Sequence, residues 1–180
     1  MKIRTLRFLF SIALLTLAAA GVPERASAQA TAPELPAVTF NYDKIGPRQV
    51  EDLTSHSVPR DYALAWQSLA KALDTNQPHL LDAYFTGFAR DNFTRRITGQ
   101  KQSGIHVKYT DRGHKLHALF YSPAGDAMQL RDRAQLEMQV MAGDSVIDRE
   151  DINVEYIVLM TPGADRWLVR DLQAIPEDKH

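Results

Sequence analysis

From Arg60 the apolar residues fall into a helical rhythm. Tyr62, Trp66, Leu69 and Leu73 are spaced four, three and four apart and so share one helical face. Pro59 precedes the run, where proline is tolerated at a helix start, and Asp74-Thr75-Asn76-Gln77-Pro78 supplies a stop and then a new start. Leu81, Phe85, Phe88, Ala89, Phe93 and Ile97 continue the same spacing as far as Gly99, which predicts a second amphipathic helix with an aromatic-rich inner face.

After Gly104 the period becomes two. Ile105–Tyr109 alternates, Thr110-Asp111-Arg112-Gly113 reads as a turn, and Lys115–Tyr121 resumes as strand before a second turn at Ser122–Asp126. The longest alternation comes next. Met128, Leu130, Ala134, Leu136, Met138 and Val140 fall on one side; Gln129, Arg131, Arg133, Gln135, Glu137 and Gln139 fall on the other. One face on a core and one in water is the habit of antiparallel sheets. Ile152–Met160 and Arg166–Gln173 are two further strands, separated by Thr161–Asp165. Helices ahead of a meander predict an α+β domain over 60–176, with N-terminal helices packed in the concavity of a curved antiparallel sheet of about five strands.

The ends read differently. Lys2, Arg4 and Arg7 precede the apolar run Phe8–Ala20, and Ala26-Ser27-Ala28 closes it, the three parts of a secretory signal peptide. Residues 1–28 are therefore expected to be removed on export to a periplasmic or extracellular space, with Ala28-Gln29-Ala30 offering a second cleavage position. Residues 29–59, with Pro33, Pro36, Pro47 and Pro59, read as a linker or arm, and the alternation of Val38, Phe40 and Tyr42 allows a short edge strand within it. The sequence has no cysteine, so neither a disulfide staple nor a lipidated cysteine is available. Losing four basic residues and Glu24 with the signal takes the net charge from −1 to about −4, which argues against a nucleic-acid partner. No second run is long and apolar enough to span a membrane.

The order of elements resembles the cone-shaped, cystatin-like fold of the nuclear-transport-factor-2-like superfamily. The resemblance is carried by the Tyr62–Leu73 helix, the segment with Tyr84, Phe85 and Phe88, and the closing strands that end in Arg166-Trp167-Leu168-Val169-Arg170-Asp171-Leu172. Enzymes of this superfamily usually insert a helix between the first hairpin and the main meander. Only Ser122–Ala127 lies there in this sequence, which is closer to the largely non-catalytic branch resembling the matrix-side domain of the mitochondrial import motor's membrane anchor. The resemblance implies a binding module for a protein partner or an apolar small molecule.

Candidate chemistry is sparse. Asp132 interrupts the apolar side of its strand, and a carboxylate facing a cone interior is desolvated and suited to proton transfer. That makes a small isomerase, dehydratase or hydrolase the alternative, provided Asp132 points inward beside Tyr84 or Tyr156; a bulge would instead turn it to water. Tyr84, Tyr156 and Trp167 are candidates to line a pocket. His114 and His117 are three apart on a strand and should face opposite sides, so no metal site is expected, and no cofactor motif is present. Ile157 and Leu159 continue the polar side begun by Asn153 and Glu155, and an association surface, a homodimer among the candidates, would cover them.

Overall fold

The helical rhythm is real, and it starts earlier than the apolar spacing implies. In the computed structural model, which describes residues 35–176, a 24-residue helix, α1, spans Asp52–Thr75. These described residues fall within one compact unit, Pro33–His180; the expected signal peptide and the first part of the expected arm lie outside them. Pro59 is inside α1 rather than at its start. Its missing N–H removes one helical hydrogen bond, but burial of Thr54 and Val58 on either side of the polar Ser55-His56-Ser57 stretch carries the helix through. α1 ends at Asn76, in the left-handed region at φ 54°, whose N–H bonds the Ala72 carbonyl. The Asn76 side chain then donates to Ile105 O (2.9 Å) and accepts from Gln100 Nε2 (2.6 Å), tying the end of α1 to the chain beyond the second helix.

The second helix is interrupted. Pro78–Ala83 form a 3-10 helix, and Tyr84–Thr86 run extended. There Thr86 N–H donates to Val169 O and Val169 N–H to Tyr84 O. Only at Gly87 does α2 begin, running to Gln102. This break rotates Phe88 away from the core, and it is 71% exposed. The continuous aromatic face expected from Leu81 to Ile97 is therefore corrected: Phe85 is buried before the break, Ala89 and Ile97 after it, and Phe88 faces outward.

Five strands form one open sheet in the order of the sequence: β1 (Val38–Asn41), β2 (His106–Tyr121), β3 (Met128–Ala142), β4 (Ser145–Pro162) and β5 (Trp167–Ala174). β1 pairs parallel to β2 and the remaining pairs are antiparallel, so the sheet is mixed rather than wholly antiparallel. The two strands expected at 105–109 and 115–121 are one strand, because the Thr110–Gly113 turn signal is absorbed as a β-bulge. Register shifts there between Asp111 and Gly113, while pairing with β3 continues on both sides. Gly113 adopts φ 133°, a conformation that side-chain-bearing residues rarely take, and its N–H is held by Asp111 Oδ1 at 2.8 Å. Further register shifts at Ala118/Phe120, Val140/Met141 and Leu159/Met160 add to the bending of the sheet.

α1 fills the hollow of this sheet. Val58, Tyr62, Trp66, Leu69 and Leu73 bury against Leu116, Leu130, Ala134, Leu136, Val158, Met160 and Val169 in one core. Leu69→Ala removes a side chain from the centre of that contact and should cost about 2–5 kcal/mol, whereas Phe88→Ala should change stability by less than about 0.5 kcal/mol. Urea unfolding of the two variants measures both, and a comparable loss in each would contradict the break in the second helix.

Candidate functional site

Three separate elements deliver one polar cluster to the inside of the fold. The alternation of β3 turns Asp132 inward, where it is 0% exposed. On a regular strand Asp111 and His114 would face opposite sides. The bulge inserts Arg112 between them and returns both to the inner face, opposite Leu136 and Ala134. From above, α1 presents Tyr62 and Trp66.

The contacts are short and continuous. His114 Nδ1 lies 2.7 Å from Asp132 Oδ2, and His114 Nε2 lies 2.7 Å from Asp111 Oδ2. Tyr62 donates its hydroxyl to the same Asp132 Oδ2 at 2.8 Å. The Trp66 ring lies 4.6 Å from the imidazole at 36°, and the Tyr62 ring meets it edge-on at 5.5 Å. Burial alone works against a charged imidazole, but hydrogen bonds to Asp111 and Asp132 together with the charges of both carboxylates outweigh it. The His114 pKa is raised from 6.5 to about 9, so at neutral pH the ring is an imidazolium donating from both nitrogens. Burial, reinforced by the Asp132 charge, pushes the Tyr62 phenol well above its ordinary value. Burial first and Tyr109 second raise Tyr156 to about 12. Asp132 Oδ1 is buried with no hydrogen-bond partner.

Asp111 links this cluster to the surface. Its side chain is 16% exposed and helps line an open groove of about 920 Å³ beside α1, where β1 stops short and leaves the edge of β2 around Lys108–Arg112. Trp66 and Tyr109 also line the groove.

Among the residues singled out from the sequence, Asp132 points inward, but its partners are Tyr62 and His114 rather than Tyr84. Tyr156, its register neighbour on β4, packs on Trp66 at 5.8 Å. Tyr84 stands apart, under the Arg166 guanidinium at 5.2 Å, although it reaches the groove lining. Trp167 packs on Tyr121 and donates its backbone N–H to Asp61. His117 faces outward, opposite Arg131. Ile157 and Leu159 are half-buried on the outer face, beside Gln173 and Asp171 of β5. The parts played by Tyr62, Asp111 and His114 in this cluster were not evident from the sequence. The one local signal was Asp111-Arg112-Gly113, a turn motif whose glycine equally suits a bulge.

No protein-family model and no curated protein matches the chain. Among solved structures it is similar to the intermembrane space region of the chloroplast protein ARC6, with a TM-score of 0.60 and 11% identity over 72% of this chain and 98% of that one. It is also similar to a periplasmic fragment of TraM (TM-score 0.47, 15% identity, 64% of this chain and 95% of that one). A third is a protein assigned to the NTF2-like family from Streptomyces avermitilis (0.46, 12%, 65% and 94%). At these identities the likeness is one of fold alone, an α+β fold shared with the ARC6 intermembrane space region. Among the described residues no helix is long and apolar enough to cross a membrane.

The raised pKa of His114 has a consequence for stability. A group that binds its proton more tightly in the folded chain contributes fully below its unfolded pKa and loses that contribution as pH rises through its folded one. Stability should therefore fall by about 3 kcal/mol between pH 6.5 and somewhat above pH 9. Urea midpoints across this range should move in the native chain and much less in Asp132→Asn, which itself should be destabilised by about 3–5 kcal/mol through loss of a buried charge partner. A flat profile in the native chain would contradict the buried imidazolium.

Proposed function

We propose that this protein is an exported, non-catalytic binding module that holds an apolar small molecule or a protein segment in the groove beside Trp66 and Tyr109. The observation that carries the reading is the enclosure of the buried polar cluster: both nitrogens of His114 are bonded to carboxylates, and Asp132 is sealed beneath α1. An acid or base must come within hydrogen-bond reach of the proton it moves, and neither His114 nor Asp132 offers a free proton or lone pair to the groove. The cluster instead stiffens the groove wall from behind. The direct connection of β2 to β3, without an intervening helix, supports the same reading. Export rests on the N-terminal sequence alone and predicts a mature chain beginning after Ala28 or Ala30.

A second reading is favoured by one specific observation, the unpartnered Oδ1 of Asp132 beside His114 and Tyr62. There the protein is a small isomerase, dehydratase or hydrolase, with Asp132 as general acid/base, once Trp66 swings aside to admit substrate. Ile157 and Leu159, uncovered by either helix, are in turn proposed as the contact surface for a second copy or a protein partner.

Native mass spectra of the exported protein address these readings together. The binding module predicts a small molecule or peptide retained unchanged, loss of that mass in Trp66→Ala, and its retention in Asp132→Asn at pH 7. Chemical conversion of the retained molecule that ceases in Asp132→Asn would replace the module by the enzyme. A dimer that dissociates on Leu159→Lys would support the outer-face contact, and a monomer at all accessible concentrations would remove it.

A further inference from the structure

The charged side chains around the groove are not equivalent. Asp74 Oδ1 is paired with His106 Nδ1 at 2.9 Å. Asp111 has both oxygens engaged, one by Gly113 N–H and the other by His114. Arg112 is paired with Glu137 at 2.8 Å and Asp151 at 2.9 Å. Two cations remain: Lys71 on α1 and Lys108 on β2, both exposed and both without an ion pair or side-chain hydrogen bond among the described residues. They line the same groove as the apolar and aromatic Leu64, Ala70, Trp66 and Tyr109.

The carboxylates of the groove are thus each hydrogen-bonded within the protein, while its two lysines have no such partner among the described residues. A volume of about 920 Å³ lies within the roughly 300–1,000 Å³ usual for small-molecule sites. A neutral apolar molecule would satisfy the aromatic floor and leave the lysines unused, whereas a cation would be repelled by both of them. We infer that the groove takes an anionic amphiphile, a single molecule whose charged head is held by Lys71 and Lys108 while its apolar chain lies over Trp66 and Tyr109. This rests on the groove-binding reading and names the ligand class for it.

The test is calorimetric titration of the exported protein, stripped of retained ligand, with three twelve-carbon probes below their micelle concentrations: laurate, neutral monolaurin and cationic dodecyltrimethylammonium. Laurate should bind about fivefold to tenfold more tightly than monolaurin at low salt, since exposed charge pairs are individually weak, and the cation least of all. The double variant Lys71→Gln/Lys108→Gln changes only exposed side chains and should erase the preference for laurate while leaving monolaurin unaffected. Trp66→Ala should abolish binding of both. Equal affinity for laurate and monolaurin, or a preference that survives in the double variant, would overturn the anionic ligand but leave the groove intact as a site. Laurate binding untouched by Trp66→Ala, or no binding of any probe, would overturn both.

Discussion

An imidazolium can lie inside a protein only where its charge is answered from within, and His114 is answered twice, by Asp132 on one side and Asp111 on the other. Taking a charge out of water is costly, and the attraction between partners offsets that cost only when geometry is good and the remaining polar atoms are satisfied. Here the requirement reaches across the fold. Asp132 belongs to β3, His114 and Asp111 to β2, and the Tyr62 hydroxyl that joins His114 on Asp132 Oδ2 comes from α1, while Oδ1 is left without a partner. The cluster therefore fixes which face of α1 meets the sheet and holds β2 and β3 in register, since a slip of one residue would turn Asp132 to water and leave His114 charged without it.

The same constraint explains the bulge in β2. A regular strand cannot present Asp111 and His114 to one side, and the extra residue at Arg112, with Gly113 taking the unusual backbone angle, makes this arrangement available. It also leaves Arg112 outside, free to pair with Glu137 and Asp151. The groove lies directly against this irregularity. Trp66 packs on the imidazole at 4.6 Å and also lines the groove, so the buried cluster and the groove share a wall.

How much of this could be read in advance depends on the range of the interactions involved. The alternation of β3 and the helical spacing from Tyr62 to Leu73 are local consequences of one buried face, and both survive in the structure. The inward position of Asp132 comes from the same alternation. Elements decided by pairing at a distance were not legible. Phe85 leaves the helical pattern because Tyr84 and Thr86 bond Val169, more than eighty positions away, and no local feature of Leu81–Ile97 announces it. The start of α1 was hidden behind Pro59 and three polar residues, because its burial is supplied by Thr54 and Val58 only once the sheet is in place. Tyr62 looked like an ordinary core aromatic, and it is one, except for a hydroxyl whose use depends on a residue seventy positions later.

The arrangement of α1, β2 and β3 turns on the charge of His114, and the titration of its ring observed by NMR in isotopically labelled protein reads that charge most directly. The ring resonances should stay in the doubly protonated form through neutral pH and titrate near 9, with both ring N–H protons protected from exchange. A ring that titrates near 6.5, or is neutral at pH 7, would mean that the two carboxylates do not hold an imidazolium between them.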